Sequence, residues 1–130
     1  MAINKKLYRD GPYADLFSQG VQVGNTLHMA GQVGTDASGK AADSLVEQMK
    51  NAYQHVESVL KEFDCTMDNV VEETWFVTDM HECMSQVEAL FTARQMIYGK
   101  TPEVAQTVVQ VVALVDPSFK IEIKCVAIAD

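Results

Sequence analysis

The segment Gln106–Leu114 constrains the fold more than any other part of the sequence, because both of its alternating sets of positions are apolar. Its apolar residues are Val108, Val109, Val111, Val112 and Leu114. A strand with one face in water alternates apolar and polar side chains, whereas a strand covered on both faces reads as a nearly continuous apolar run. The segment therefore predicts a strand in a sheet whose two faces are both covered.

Two helices are predicted on the N-terminal side of this strand. Ser44 and Glu47 form a capping box that begins the first helix, and its apolar residues recur at spacings of three and four over about five turns. These residues are Leu45, Met49, Ala52, Tyr53, Val56, Val59, Leu60 and Phe63. The second helix is predicted over residues 81–98, with Gly99 placed to end it.

The remaining patterns predict strands. Apolar and polar residues alternate on both sides of Gly24-Asn25, a pair that suits a type II′ hairpin turn. Further strands are predicted over 70–78 and 119–128, with a short edge strand at about 3–8. In the strand over 70–78, Val71 shares its parity with Trp75 and Val77, whereas Val70 shares its parity with Thr74 and Phe76.

The order β-β-β-α-β-α-β-β, with a hairpin at each end, predicts an α+β fold. In this fold one antiparallel or mixed sheet carries both helices on one face. A chain of 130 residues is the usual size of one domain, so residues 1–130 are expected to form a single domain. Two helices cover only one face of such a sheet. Another copy of the chain is expected to cover the second apolar face, which predicts a homo-oligomer.

The amino-acid composition limits the kinds of partner that the chain is expected to bind. The chain has 18 acidic and 10 basic residues, a net charge of −8, and its one basic cluster is Lys5, Lys6 and Arg9. A nucleic-acid partner is therefore not expected, since such partners require clustered basic residues. No apolar run approaches the ~20 residues that span a bilayer, and no apolar segment follows the N-terminal lysines as in a secretory signal. We expect a cytoplasmic protein with no membrane partner.

The cysteines and histidines give no sign of a metal site. The chain has three cysteines, an odd number, and none shows Cys-x-x-Cys spacing: Cys65, Cys83 and Cys125. This pattern favours small buried side chains over a disulfide framework or a zinc site. His28, His55 and His81 are scattered, and only His81 lies near a cysteine. No metal and no cofactor are expected.

Four motifs in collinear order resemble those of the Rid (YjgF-type) family. They are Phe-Ser-Gln-Gly at 17–20 followed by Val-Gly-Asn at 23–25, Ala-Gly-Gln at 30–32, Phe-Val-Thr-Asp-Met at 76–80, and Lys-Ile-Glu-Ile at 120–123 with Cys-Val-Ala at 125–127. The resemblance implies a chorismate-mutase-like homotrimer with three clefts between subunits. Members of its best-known branch hydrolyse reactive enamines and imines to 2-keto acids and ammonia.

The resemblance also implies a binding site, which this chain has altered. In the family an arginine of the fifth strand grips the substrate carboxylate with two hydrogen bonds, which lysine does not reproduce. Aligning the triplet at 109–111 places Gln106 at that position, and no arginine lies between residue 95 and the end in any register. The implied catalytic residue is Glu122. The implied substrate-binding residues are Phe17 for the family tyrosine, Ala30 for its serine, Gly31, Val87 or the adjacent Gln86 for its helix-two asparagine, Gln106 and Gln110.

Three functions remain open at this point. The first is a Rid protein that binds a small neutral or amine-bearing metabolite and hydrolyses an imine, enamine or amide with Glu122 as acid or base. The second is a residual 2-imino acid deaminase in which a group such as Lys120 replaces the arginine. The third is a non-catalytic trimeric binding or chaperone-like protein. A ribonuclease fits poorly, since the net charge repels RNA and no histidine pair is available.

Overall fold

A computed structural model describes residues 2–130. The strands are β1 (Lys6–Tyr8), β2 (Gly20–Val23), β3 (Thr26–Met29), β4 (Gln32–Val33), β5 (Val70–Val77), β6 (Ala105–Gln110) and β7 (Ile121–Ile128). The helices are α1 (Leu45–Lys61), α2 (Met80–Ser85) and α3 (Val87–Tyr98), with a 3-10 turn at Met67–Asn69. The α+β fold with a mixed sheet is confirmed. In the described part of the chain, no helix is both long enough and apolar enough to cross a membrane.

The seven strands form one sheet in the order β1-β2-β3-β7-β5-β6, with β4 paired to β7. The predicted C-terminal hairpin is wrong. β7 lies between β3 and β5, and β6 pairs with β5 in parallel. Two parallel neighbours need a long crossover connection, which α2 and α3 supply. This topology makes β7 a central strand and β6 an edge strand.

Local signals at the helix ends and the first turn behave as predicted. Gly24 has φ of +59° and Asn25 has negative φ, as a type II′ turn requires. The Ser44 side chain accepts a hydrogen bond from the Glu47 N–H and caps α1. Gly99 takes the left-handed conformation, with φ of +76°, and ends α3.

Three local predictions are wrong. The second helix is broken at Gln86 into α2 and α3. A register shift between Val70 and Glu72 buries Val70 and leaves Val71 exposed, so Val70 lies on the core side instead. β6 ends at Gln110 rather than Leu114, because its partner β5 ends at Val77, whose carbonyl accepts the last ladder bond from the Val111 N–H. Val112 is consequently fully exposed.

Both long helices pack on one face of the sheet, as predicted. The core-facing residues of β7 are Ile121, Ile123, Cys125 and Ala127, all buried. From α3, Leu90 is buried with them and Phe91 packs on Trp75 of β5 with ring centroids 5.1 Å apart. The opposite face, which we call the helix-free face, carries the alternate residues. Along the centre of the sheet these are Val33, Thr74, Phe76, Thr107, Val109, Glu122, Lys124 and Val126.

Candidate functional site

Glu122 lies on the helix-free face in the middle of the sheet. On β7 it pairs with Val33 of β4 on one side and with Phe76 of β5 on the other. Cross-strand partners share a face, so the half-buried carboxylate stands between two apolar side chains. Burial raises the pKa of Glu122, and the nearby Lys124 ammonium offsets only part of that rise.

The lysines of this region do not form an ion pair with Glu122. Lys120 instead contacts the carboxylate of Glu82 on α2, with Nζ 3.0 Å from Oε1. Among residues 2–130, neither an ion pair nor a side-chain hydrogen bond reaches the Glu122 carboxylate. A half-buried carboxylate without such a partner is suited to accept or donate a proton.

Gly31 packs directly against this carboxylate. A methyl group added at Gly31 would lie 2.7 Å from Cδ of Glu122 and still closer to Oε2. No other residue type would leave the Glu122 side chain in its observed position. The glycine therefore gives the carboxylate its place beside the backbone that connects β3 to β4.

Replacing Gly31 with alanine is expected to move the Glu122 carboxylate without unfolding the protein. The atoms that must shift are the end of a flexible side chain, so we expect a stability change of about 1 kcal/mol or less and a clear loss of any activity that uses Glu122. Thermal unfolding and turnover measure the two effects. Gly34→Ala is the matched contrast, because its methyl group would meet the backbone of α1, 2.6 Å from the carbonyl carbon of Gln48, and should destabilise the fold.

Within one chain, the structure does not bring Gln106 and Gln110 together with Glu122. Gln106 pairs with Glu73 and Gln110 with Val77, so both glutamines lie on the face covered by helices. The Gln106 amide donates to Oε2 of Glu73 at 2.7 Å, and the Gln110 amide oxygen accepts a bond from the Met80 N–H at the start of α2. The two glutamines share a face as predicted, but it is opposite to that of Glu122.

Glu73 is the centre of a buried polar cluster on the helix side. The carboxylate is fully buried and accepts four hydrogen bonds. The donors are the Tyr53 hydroxyl (2.8 Å), the Tyr98 hydroxyl (2.6 Å), Nε of Arg94 (2.7 Å) and the Gln106 amide (2.7 Å). We call these five residues the Glu73 cluster. Burial by itself would lower the pKa of the Arg94 guanidinium, but the Glu73 carboxylate and Tyr53 together outweigh burial and raise that pKa.

The cluster accounts for one of the two arginines of the chain. Arg94 is 8% exposed and held in the core by Glu73, with its guanidinium over the rings of Phe91 and Tyr98. The other, Arg9, follows β1 and donates to the carbonyl oxygen of Ala14. Neither guanidinium contacts Glu122, so the described chain by itself brings no arginine to that carboxylate.

Thr107, which was not among the predicted site residues, is a polar β6 residue that faces the same side as Glu122. It pairs with Thr74 of β5, and Thr74 pairs with Lys124 of β7. This row of two hydroxyls and an ammonium adjoins the row that contains Glu122 and Phe76. Gln106, one residue before Thr107, faces the other side, because successive side chains of a strand alternate between the two faces.

The other expected site residues are spread over three elements. Phe17 lies in the loop between β1 and β2, where it is 43% exposed and stacks on Tyr13 at 5.6 Å. Ala30 and Gly31 connect β3 to β4, and the Ala30 N–H donates to the carbonyl of Gln19. Val87 begins α3 and lies in the helix layer. Of these residues, Gly31 lies against the Glu122 carboxylate.

Comparisons with known proteins agree with this fold and identify the family of the chain. Residues 10–129 match the model of the family described as Endoribonuclease L-PSP. A mouse protein named 2-iminobutanoate/2-iminopropanoate deaminase is 36% identical over 120 residues, which is 91% of this chain and 82% of the relative. The RutC family protein YjgH of Escherichia coli (strain K12) is 29% identical over 111 residues, which is 85% of this chain and 81% of the relative.

Among solved structures, Rv2704 of Mycobacterium tuberculosis, described as a member of the YjgF/YER057c/UK114 family, is similar with a TM-score of 0.80. It is 23% identical, and the likeness covers 97% of this chain and 100% of that one. The structural likeness confirms the YjgF-type fold that the sequence motifs predicted. Since the family model spans nearly the whole chain and the mouse relative exceeds 30% identity over most of it, the chain belongs to the Endoribonuclease L-PSP family, the Rid (YjgF-type) family.

Proposed function

We propose that this chain binds a small neutral or amine-bearing metabolite on its helix-free face and hydrolyses an imine or enamine there, with Glu122 as the acid and base. The single observation that carries the proposal is the Glu122 carboxylate, which is half-buried between Val33 and Phe76 and forms no ion pair with any of residues 2–130. Burial raises the pKa of Glu122, which makes its carboxylate a stronger base and keeps its protonated form populated to a higher pH.

The charges around Glu122 favour this class of ligand over an anionic one. A substrate carboxylate would approach another carboxylate without a guanidinium to bind it, since Arg94 is held by Glu73. An amine or protonated imine would instead be attracted to Glu122. The hydroxyls of Thr74 and Thr107, in the adjoining row, suit neutral polar groups of the ligand.

Imine hydrolysis at this site requires one group that carries protons, and that group is Glu122. Glu122 takes a proton from a water molecule as its oxygen bonds to the imine carbon, and the same proton is then delivered to nitrogen. Glu122 then takes the hydroxyl proton of the tetrahedral adduct and passes it to nitrogen, so that the carbon–nitrogen bond breaks as the carbonyl forms and the nitrogen leaves as neutral ammonia or amine. The imine and one water thus become a carbonyl compound and ammonia or an amine, with no other reactant. An enamine enters the same path after protonation at carbon.

We propose further that three copies associate and cover the helix-free face. This face is apolar along much of its centre, at Val33, Phe76, Val109 and Val126. Apolar surface of this kind gains about 25 cal/mol per Å² when it is removed from water. A neighbouring copy would turn the open row around Glu122 into a cleft. The expected mass in solution is three times 14.4 kDa.

A second candidate function is 2-imino acid deamination of the kind named for the mouse relative, and the 36% identity favours it. It would need a cation near Glu122 in place of the arginine. Lys120 is a poor choice because it is paired with Glu82, whereas Lys124 is exposed on the same face as Glu122. A single ammonium supplies one point charge and does not reproduce a two-bond fork.

The deciding experiment compares substrates of different charge on the purified protein. Imines generated in situ from neutral amines and from amino acids are offered separately, and carbonyl release is measured against buffer. The proposal expects release from the neutral imines and little from 2-iminobutanoate or 2-aminoacrylate. Faster turnover of the acidic imines would select the second candidate. Release at the buffer rate from every imine would reject both, and suppression of aggregation by the same sample would then point to a chaperone-like role.

A further inference from the structure

A concave surface lies on the opposite side of the sheet from Glu122. It is an open groove of about 750 Å³ between α1 and α3. Its apolar lining comes from Val46 and Tyr53 on α1 and from Ala89, Ala93, Met96 and Ile97 on α3. Met96 is 78% exposed, which is unusual for a large apolar side chain that stands beside other apolar side chains. The proposed chemistry at Glu122 makes no use of this groove.

The dimensions of the groove match one short helix. On α1 the lining extends from Val46 to Glu57, and on α3 from Glu88 to Ile97. At 1.5 Å per residue these stretches are about 14–16 Å long, or roughly three helical turns. Ala89 and Ala93 are one turn apart, and their small side chains allow another helix to approach α3 closely.

The charges of the groove are mainly acidic. Glu57 and Glu88 line it, together with one lysine, Lys50. Lys50 is already matched by Glu47, with Nζ 3.5 Å from Oε1. Glu57 and Glu88 have no counter-ion among the ion pairs of residues 2–130. A partner with basic side chains beside its apolar stripe would complement this rim, and an acidic partner would be repelled.

We propose that the α1/α3 groove is a docking site for a short basic amphipathic helix of another protein. The helix would place apolar residues at i, i+3 or i+4, and i+7 on Ala89, Ala93 and Met96, the usual pattern of a helix in a groove. Its lysines or arginines would face Glu57 and Glu88. Because the groove and the helix-free face lie on opposite sides of the sheet, the partner and the small ligand can be bound together.

The proposal is tested on the purified full chain with a synthetic peptide of about 14 residues, which is four turns of helix. The peptide carries leucines at helical spacing and lysines on both flanks of that stripe. A matched peptide has glutamates in place of the lysines. We expect the basic peptide to bind, with amide chemical-shift changes at Ala89, Ala93 and Met96, and the acidic peptide to bind at least tenfold more weakly.

Variants separate docking in the groove from general attraction to an acidic protein. Glu88→Lys reverses a charge on the rim, and Asp15→Lys makes the same change at an exposed position in the loop between β1 and β2. Glu88→Lys and the groove-filling Ala89→Arg should each lower the affinity for the basic peptide about tenfold or more. Asp15→Lys should lower this affinity much less. Equal weakening by Glu88→Lys and Asp15→Lys, or shift changes centred on the helix-free face, would overturn the proposal. So would a fall in oligomer mass on Ala89→Arg, since a second copy would then occupy the groove.

Discussion

Replacing Arg94 with methionine is expected to lower the free energy of unfolding by about 3–5 kcal/mol. The substitution leaves the fully buried carboxylate of Glu73 without its cation, and a buried charge that loses its partner is among the most destabilising changes known. Domains of this size are stable by only about 5–15 kcal/mol. Urea unfolding followed by the fluorescence of Trp75, whose indole N–H donates to Tyr53 beside the cluster, measures the loss.

A double-mutant cycle identifies the cause of this loss. Glu73→Gln combined with Arg94→Met removes both charges, so the double variant should be more stable than Arg94→Met alone. Lys50→Met is the surface control, because its pair with Glu47 is exposed and is expected to contribute about 0.5 kcal/mol or less. All variants are compared at one protein concentration, since association shifts apparent stability. Additive losses at Glu73 and Arg94 would contradict a buried ion pair.

The local elements follow from the sequence because each has a short-range cause. The turn at Gly24, the cap at Ser44 and the end of α3 at Gly99 depend on residues within one turn of each other. The position of β7 has no such local cause. Its neighbours are β3 and β5, more than 40 residues away along the chain, and the alternating pattern of β7 is equally compatible with an edge hairpin.

The face of the sheet on which Glu122 lies follows from the sequence, whereas the facing of the β6 side chains does not. Glu122 alternates with the buried Ile121 and Ile123, so its face is fixed by its own strand. β6 has valines on both faces, so its hydrophobic pattern does not say which side Gln106 takes. One signal was available on β5, where Glu73 shares its parity with the apolar Trp75 and Val77. A carboxylate on the core side of a strand requires donors, and Arg94 with Tyr98 one turn later supplies two.

Replacing Glu122 with glutamine is expected to lower kcat/KM for the imine substrate by about 10²–10⁴-fold. The amide keeps the shape of the side chain but exchanges no proton, and a positioned general acid or base contributes an effect of that size. In the wild type, a Glu122 that acts as base should make the rate rise with pH through its folded-state pKa, which burial raises. The glutamine variant should lose that dependence. An unchanged kcat/KM would remove Glu122 from the mechanism.

The same variant has a stability readout that needs no substrate. Because the folded pKa of Glu122 is raised, the folded state prefers the protonated carboxyl, and the wild type loses stability as the pH rises from the ordinary range of a glutamate through that pKa. Glu122→Gln carries no charge to desolvate. Its thermal midpoint should therefore exceed that of the wild type at pH 7 and match it at about pH 3, below the ordinary pKa of a glutamate. Lys124→Met should lower the thermal midpoint at pH 7, because it removes the cation that partly offsets the rise in the pKa of Glu122. A wild type that is more stable than Glu122→Gln at pH 7 would mean that the carboxylate has a stabilising partner, and it would then be a structural group rather than an acid or base.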